Sequence, residues 1–187
     1  MKKLIIPFLL LAMVTTTYSF MPIAPKEKVS EGKINWMTWE EAVEKSKTTK
    51  KKIFIDIYTQ WCGWCKRMNT TTFNEAHIAD YINKHYYPVK FDAEQTDPIT
   101  FKGTTYKFVK SGKRGYHKLA MTFAQGNLSF PTFIFMDENQ EVLQPFPGYL
   151  DAKKFEKIMT FYGDNHFKTI PWSSYQKDYK PMDPKKD

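Results

Sequence analysis

The stretch KKIFIDIY, from Lys51 to Tyr58, limits the possible folds of this chain more than any other segment. It is an almost unbroken apolar run of strand length, rich in isoleucine. A strand with one wet face alternates apolar and polar residues, whereas an unbroken run suits a central strand covered on both faces. The chain therefore needs helices on either side of a sheet.

The flanking segments supply them. MTWEEAVEKSKTTKK reads as a helix, with Thr38 as cap and Glu41, three residues on, completing a capping box. CGWCKRMNTTTF reads as a helix start, and EAHIADYINKHY as a second helical segment with Ile78 and Ile82 at helix spacing. YPVKFDAE is a strand ending near Asp92. Residues 95–127 are less regular: TFKGTTYKFVKSGKRG fits a short hairpin or an ordered loop, and YHKLAMTFAQ fits a helix that stops at Gly126. FPTFIFMDENQEVLQPF is a hairpin turning at Asp137–Gln140. DAKKFEKIMTFYG is a helix with Asp151 as cap and Gly163 as stop. Strands alternating with helices, then a terminal hairpin and helix, predict an α/β fold with a mixed sheet between helices.

A length of 187 residues predicts one domain with decoration. Residues 1–19 have the layout of a secretory signal peptide: Lys2 and Lys3, an apolar run from Leu4 to Val14, then a polar stretch with small residues, with cleavage expected near Ser19. The apolar run is shorter than the roughly 20 residues a spanning helix needs. Residues 20–33, with Pro22, Pro25 and Gly32, read as a linker. The domain is expected over 34–165, with an insertion at about 95–127. Residues 166–187 read as an extension that wraps onto the domain and then frays.

Export places the mature chain in the periplasm or another oxidising compartment, where disulfides persist. The chain nevertheless has two cysteines, Cys62 and Cys65, in YTQWCGWCKRMN. A bridge across two residues closes too small a loop to stabilise much, so chemistry explains the pair better than stability. The formal charge of +8 becomes +6 without Lys2 and Lys3, 26 cations against 20 acids. The excess is dispersed and reads as a solvated basic exterior. Export removes nucleic acid as an obvious partner, and a monomer is expected.

A Cys-x-x-Cys after a strand and at a helix start is a redox arrangement. Unpaired N–H groups and the positive helix end favour an anion there, so the Cys62 thiol is expected below the usual value of about 8.5. Cys62, its sulfur exposed, would attack a disulfide with help from the N–H groups of Trp64 and Cys65. Cys65, one turn in and more buried, would resolve the mixed disulfide. A structural zinc site needs four ligands, and His77, His85, His117 and His166 lack ligand spacing. A c-type haem needs His where Lys66 stands. No metal or cofactor beyond the Cys62–Cys65 pair is expected. Trp61 and Trp64 bracket the nucleophile as an exposed contact surface, or Trp61 packs inward and Trp64 alone is exposed. Tyr58 is a candidate lining of the same groove.

FIDIYTQWCGWCK resembles the active-site strand and helix of the thioredoxin superfamily, whose common form is W-C-G-P-C-K. It is especially similar to exported bacterial thioredoxin-like domains, including the C-terminal domain of the reductant conductor DsbD. The resemblance runs from about Ile34 to Gly163. Trp61, Cys62, Gly63, Cys65 and Lys66 match; Trp64 departs from the common proline, at a position that tunes the reduction potential. The resemblance implies a buried acid at Asp56, six residues before Cys62, with Lys90 beside it. Strand alternation puts Asp56 on the face of Phe54 and Tyr58, and desolvation there would raise its pKa and suit it to accept the Cys65 proton. Pro131, before an apolar strand, fits a strand start. The resemblance further implies a cis Phe130–Pro131 bond against the motif, with the Phe130 backbone bonding an extended substrate.

Two readings follow. One is an exported thiol–disulfide oxidoreductase acting on protein thiols and disulfides, more a reductase or isomerase than an oxidase, supplied by a membrane-bound electron donor. The other is a binding or chaperone-like module on the same fold, whose disulfide rarely turns over.

Overall fold

The computed structural model describes residues 32–182. The signal peptide expected at 1–19 lies outside the described residues, as does nearly all of the linker expected at 20–33. Helix α1 (Trp39–Thr48) leads into β1 (Lys52–Tyr58), then α2 (Gly63–Thr70), a 3-10 turn (Thr72–Asn74), α3 (Ala76–His85) and β2 (Tyr86–Asp92). Two small hairpins come next: β3 (Ile99–Phe101) with β4 (Thr104–Tyr106), and β5 (Phe108–Ser111) with β6 (Arg114–His117). Helix α4 (Lys118–Phe123), β7 (Thr132–Met136), β8 (Val142–Pro147), α5 (Ala152–Gly163) and α6 (Trp172–Asp178) follow. The capping box of α1 is formed: the Glu41 N–H donates to the Thr38 hydroxyl, and the Thr38 N–H donates to the Glu41 carboxylate.

The apolar run is the inner strand it had to be. The main sheet has the order β2-β1-β7-β8, with β1 parallel to β2 and antiparallel to β7. Alternation along β1 sends its side chains into two cores. Ile53, Ile55 and Ile57 join Trp39 and Ala42 of α1 and Leu119, Ala120 and Phe123 of α4. Phe54 faces the other way, among Met68 of α2, Ile78 and Ile82 of α3, and Phe155 and Met159 of α5. The Phe54 ring lies 5.2–6.4 Å from six others: Trp36, Phe73, Tyr86, Phe133, Phe135 and Phe155. Each such buried side chain contributes about 1.5–3 kcal/mol by leaving water.

The sheet's outer strands carry prolines: Pro88 in β2, Pro145 and Pro147 in β8. The free side of β2 is taken by Met37, whose N–H donates to the Pro88 carbonyl and whose carbonyl accepts the Lys90 N–H.

Two segments differ from the sequence reading. Residues 99–117 form two hairpins rather than one hairpin or a loop, the second turning at Gly112 with φ +61°. The helix expected from Tyr116 starts at Lys118, because Tyr116 and His117 are paired with Val109 and Phe108. The buried His117 instead caps α4: its Nδ1 accepts the Leu119 N–H at 3.3 Å, while Nε2 donates to the Asp97 carbonyl at 3.1 Å. Helix α6 was also hidden among lysines and prolines. It lies against α5, with Tyr175 bonded to Thr160 (2.7 Å) and the buried Glu156 carboxylate accepting from His77, Tyr179 and the Met182 N–H.

Candidate active site

The motif stands where the inner strand β1 and its parallel outer neighbour β2 end. The Ala93 N–H donates to the Tyr58 carbonyl at 2.8 Å, holding the ends of β1 and β2 together. The chain then turns, with the Cys62 N–H on the Thr59 carbonyl, and Cys62 becomes the N-cap of α2. Cys62 and Cys65 form a disulfide, with Cα atoms 5.3 Å apart. The Cys62 sulfur accepts the Cys65 N–H at 3.0 Å. Of the two N–H groups anticipated, Cys65's is the one that reaches it. That donor and the positive end of α2 both lie at the Cys62 sulfur.

The sequence reading expects an exposed Cys62 sulfur; in the disulfide the residue as a whole is buried. Cys62 is 4% exposed, against 2% for Cys65. The bond to the buried Cys65 holds the Cys62 side chain against the helix start. Its neighbours take the solvent instead, Trp61 at 50% and Trp64 at 59%.

Both tryptophans are therefore exposed, and each is held. The Trp61 indole N–H donates to Glu94 at 2.9 Å, and its ring meets Phe130 edge-on at 5.6 Å. The Arg114 guanidinium lies over the same ring, 4.1 Å from its centre. Trp64 lies 5.5 Å from Tyr149, with Arg67 over both rings. Gly63, Trp64, Lys66, Arg67 and Thr70 line an open hollow of about 520 Å³. The Phe130–Pro131 peptide is cis, and Pro131 is buried just before β7.

Asp56 and Lys90 lie deeper, as register partners on β1 and β2. Asp56 is 1% exposed. One carboxylate oxygen accepts from Lys90, and the other has no hydrogen-bond partner. Burial lifts the Asp56 carboxyl above its ordinary range, against the opposing pull of Lys90. Lys90 also donates to Asn69 at 2.8 Å and lies over the rings of Trp36, Tyr58 and Phe73. Tyr58 thus belongs to the lysine's surroundings and not to a groove beside the tryptophans.

Cys62, Cys65, Trp61, Gly63, Trp64 and Lys66 come together by sequence, and Phe130 joins them through Trp61. Sequence reasoning missed Glu94, Arg114, Arg67, Tyr149 and Asn69. Arg67 and Asn69 were in view in the quoted stretch; the others carry no periodic or spacing signal. Among the described residues, no group of three or more His, Cys, Asp or Glu side chains is placed to hold a metal ion.

With this geometry in hand, known proteins give the chain its relatives. A family profile described as a thioredoxin-like domain matches residues 39–163. Spermatogenesis-associated protein 20 of Homo sapiens is 26% identical over 119 residues, 62% of this chain. An uncharacterised Archaeoglobus fulgidus protein is 30% identical over 86 residues, covering 46% of this chain and 65% of its own. The chain spans 12–13% of the length of the first curated relatives it matches. Among solved structures, a thioredoxin-fold protein from Helicobacter pylori aligns with TM-score 0.53 and 18% identity, over 68% of this chain and 83% of that one. A Thermus thermophilus thioredoxin aligns with TM-score 0.51 and 15% identity, over 69% and 86%. These likenesses establish the fold.

Proposed function

Because this chain belongs to the thioredoxin-like domain family, we propose that it works as an exported thiol–disulfide oxidoreductase on protein substrates, in the reducing or isomerising direction. One observation carries the reading: a Cys-x-x-Cys disulfide at a helix start, its first sulfur bonded to the Cys65 N–H.

In the reducing cycle the pair begins as two thiols. The Cys62 thiolate attacks one sulfur of a substrate disulfide. That S–S bond breaks, a Cys62–substrate bond forms, and the departing thiolate takes a proton. Cys65 passes its proton to Asp56, directly or through water, and attacks the Cys62 sulfur. The second substrate thiol leaves, so the substrate gains two electrons and the protein becomes the disulfide. The burial that keeps Asp56 basic suits it to this task. A dithiol donor must then reduce the pair, and a membrane-bound electron conductor facing the periplasm fills that role. The exchange uses the two sulfurs alone, with no metal or organic cofactor, and one copy of the chain suffices.

The test is insulin reduction with dithiothreitol. The native protein is expected to accelerate precipitation of the insulin B chain, and Cys62→Ser to lose that acceleration; equal turnover by both sinks the proposal. Equilibration with glutathione fixes direction. A potential near −270 mV, as in thioredoxin, supports reduction, and one near −120 mV reverses it. A binding module is the second reading, favoured by the exposed Trp61 and Trp64. It requires partner capture to survive replacement of both cysteines.

A further inference from the structure

We infer that the β5–β6 hairpin and the start of α2 form a cationic surface that selects substrates with acidic residues flanking their disulfide cysteine. The inference rests on the exchange reading above and names the substrate class for it.

The charge distribution comes first. Between Pro98 and Met136 the chain has six cations, Lys102, Lys107, Lys110, Lys113, Arg114 and Lys118, and no Asp or Glu. Lys102 pairs with Glu141; the other five make no ion pair among the described residues. Four of those five, all but Lys118, belong to the hairpin or its entry. The hairpin is rooted beside the motif, because the His117 N–H donates to the Ala93 carbonyl and Ala93 is bonded to Tyr58 at the end of β1.

The second observation is symmetry about the disulfide. Each flanking tryptophan carries an arginine on its ring: Arg114 on Trp61, Arg67 on Trp64. An aromatic face attracts a guanidinium but leaves its charge uncompensated; Arg67 also bonds the Tyr149 side chain, yet a guanidinium has further N–H donors to offer a carboxylate. Lys66 stands exposed beside Arg67. Two acids on the Trp61 side keep their charge but are held back from the peptide's path by neutral donors, so the cations outnumber them around the motif. Glu94 accepts the Trp61 indole N–H, and Asp92 accepts from the Glu94 N–H and from Gln60. On Arg114's face of the hairpin, Val109 and Tyr116 add apolar contact. A peptide chain crossing the disulfide therefore meets an arginine on either side of its cysteine. The geometry fits Asp or Glu within a few residues of that cysteine, on both sides.

The experiment compares three substrates: neutral hydroxyethyl disulfide, and two disulfide-bridged peptides of equal length flanked by Asp/Glu or by Lys/Arg. Dithiothreitol is the terminal reductant, closing to its cyclic disulfide as it returns two electrons to the pair. The readout is the ratio of kcat/KM for the acidic over the basic peptide within one protein, so differences in folded fraction cancel. The native ratio should be about tenfold at low salt and fall as salt screens the pairs. It should drop to one or invert in Arg67→Glu/Arg114→Glu, and fall part-way in Lys113→Glu at the hairpin turn. A native ratio near one, or a ratio that neither salt nor reversal moves, overturns the inference while hydroxyethyl disulfide turnover leaves the exchange reading intact. No turnover of hydroxyethyl disulfide overturns both.

Discussion

Lys90→Met removes the positive charge beside Asp56 and keeps an unbranched stem among Trp36, Tyr58 and Phe73. Asp56 is buried, and its second oxygen already lacks a partner, so Lys90 is what makes an ionised carboxylate tolerable there. Stripping one partner from a buried pair costs about 3–5 kcal/mol. Lys90 is one-fifth exposed, so water screens part of this, and about 3 kcal/mol is expected at pH 8. A lost hydrogen bond to Asn69 contributes about 1 kcal/mol of that at any pH. The rest depends on ionisation. Burial raises the folded Asp56 pKa above the ordinary 3.8, so over the window between the two the native state holds a proton that the unfolded chain has released. Stability therefore falls as pH rises through that window. Lys90 opposes the rise, so its removal pushes the folded value higher and deepens the loss at alkaline pH. Well below 3.8 the carboxyl is protonated folded or unfolded and needs no counter-charge, so only about 1 kcal/mol should be lost. With a urea slope of about 2 kcal/mol/M, tryptophan fluorescence should show midpoint shifts of about 1.5 M at pH 8 and about 0.5 M at about pH 3. Equal shifts at both pH values would refute the argument, because they would mean that Asp56 holds no charge against Lys90.

Phe54→Ala should cost about 3–5 kcal/mol, since the ring is fully buried among six others that cannot all close over the void, and the same urea assay measures it. Glu156→Gln weakens the acceptor that His77, Tyr179 and the Met182 N–H share. A loss of about 1–3 kcal/mol and faster amide exchange over residues 175–182 should follow, with insulin reduction retained.

The fold was legible where periodicity and punctuation agreed. The KKIFIDIY run has no polar face, so its central position and the helices above and below it were forced. Thr38 with Glu41, and Asp151, marked helix starts whose caps form as read. The irregular segment was harder. TFKGTTY and FVKSGKRGY carry too few apolar residues to declare a buried face, because their hairpins are largely exposed. The two cysteines announced themselves by spacing, but the depth of Cys62 did not. That depth depends on the packing around the bridge to Cys65, which spacing does not encode. Arg114 and Glu94 reach Trp61 from distant parts of the chain, and one sequence carries no signal that joins them.

The prolines in β2 and β8 bear on what kind of contact a client protein can make. Pro88, Pro145 and Pro147 offer no N–H to an incoming strand, and Met37 occupies the middle of the free side of β2 at Pro88 and Lys90. Exposed edges normally invite chains with unpaired backbone, which is the state of a client whose disulfides are wrong. On the exchange reading proposed above, a sheet built this way would meet partly unfolded chains without templating them into aggregates, and a client would engage the tryptophan-flanked disulfide instead.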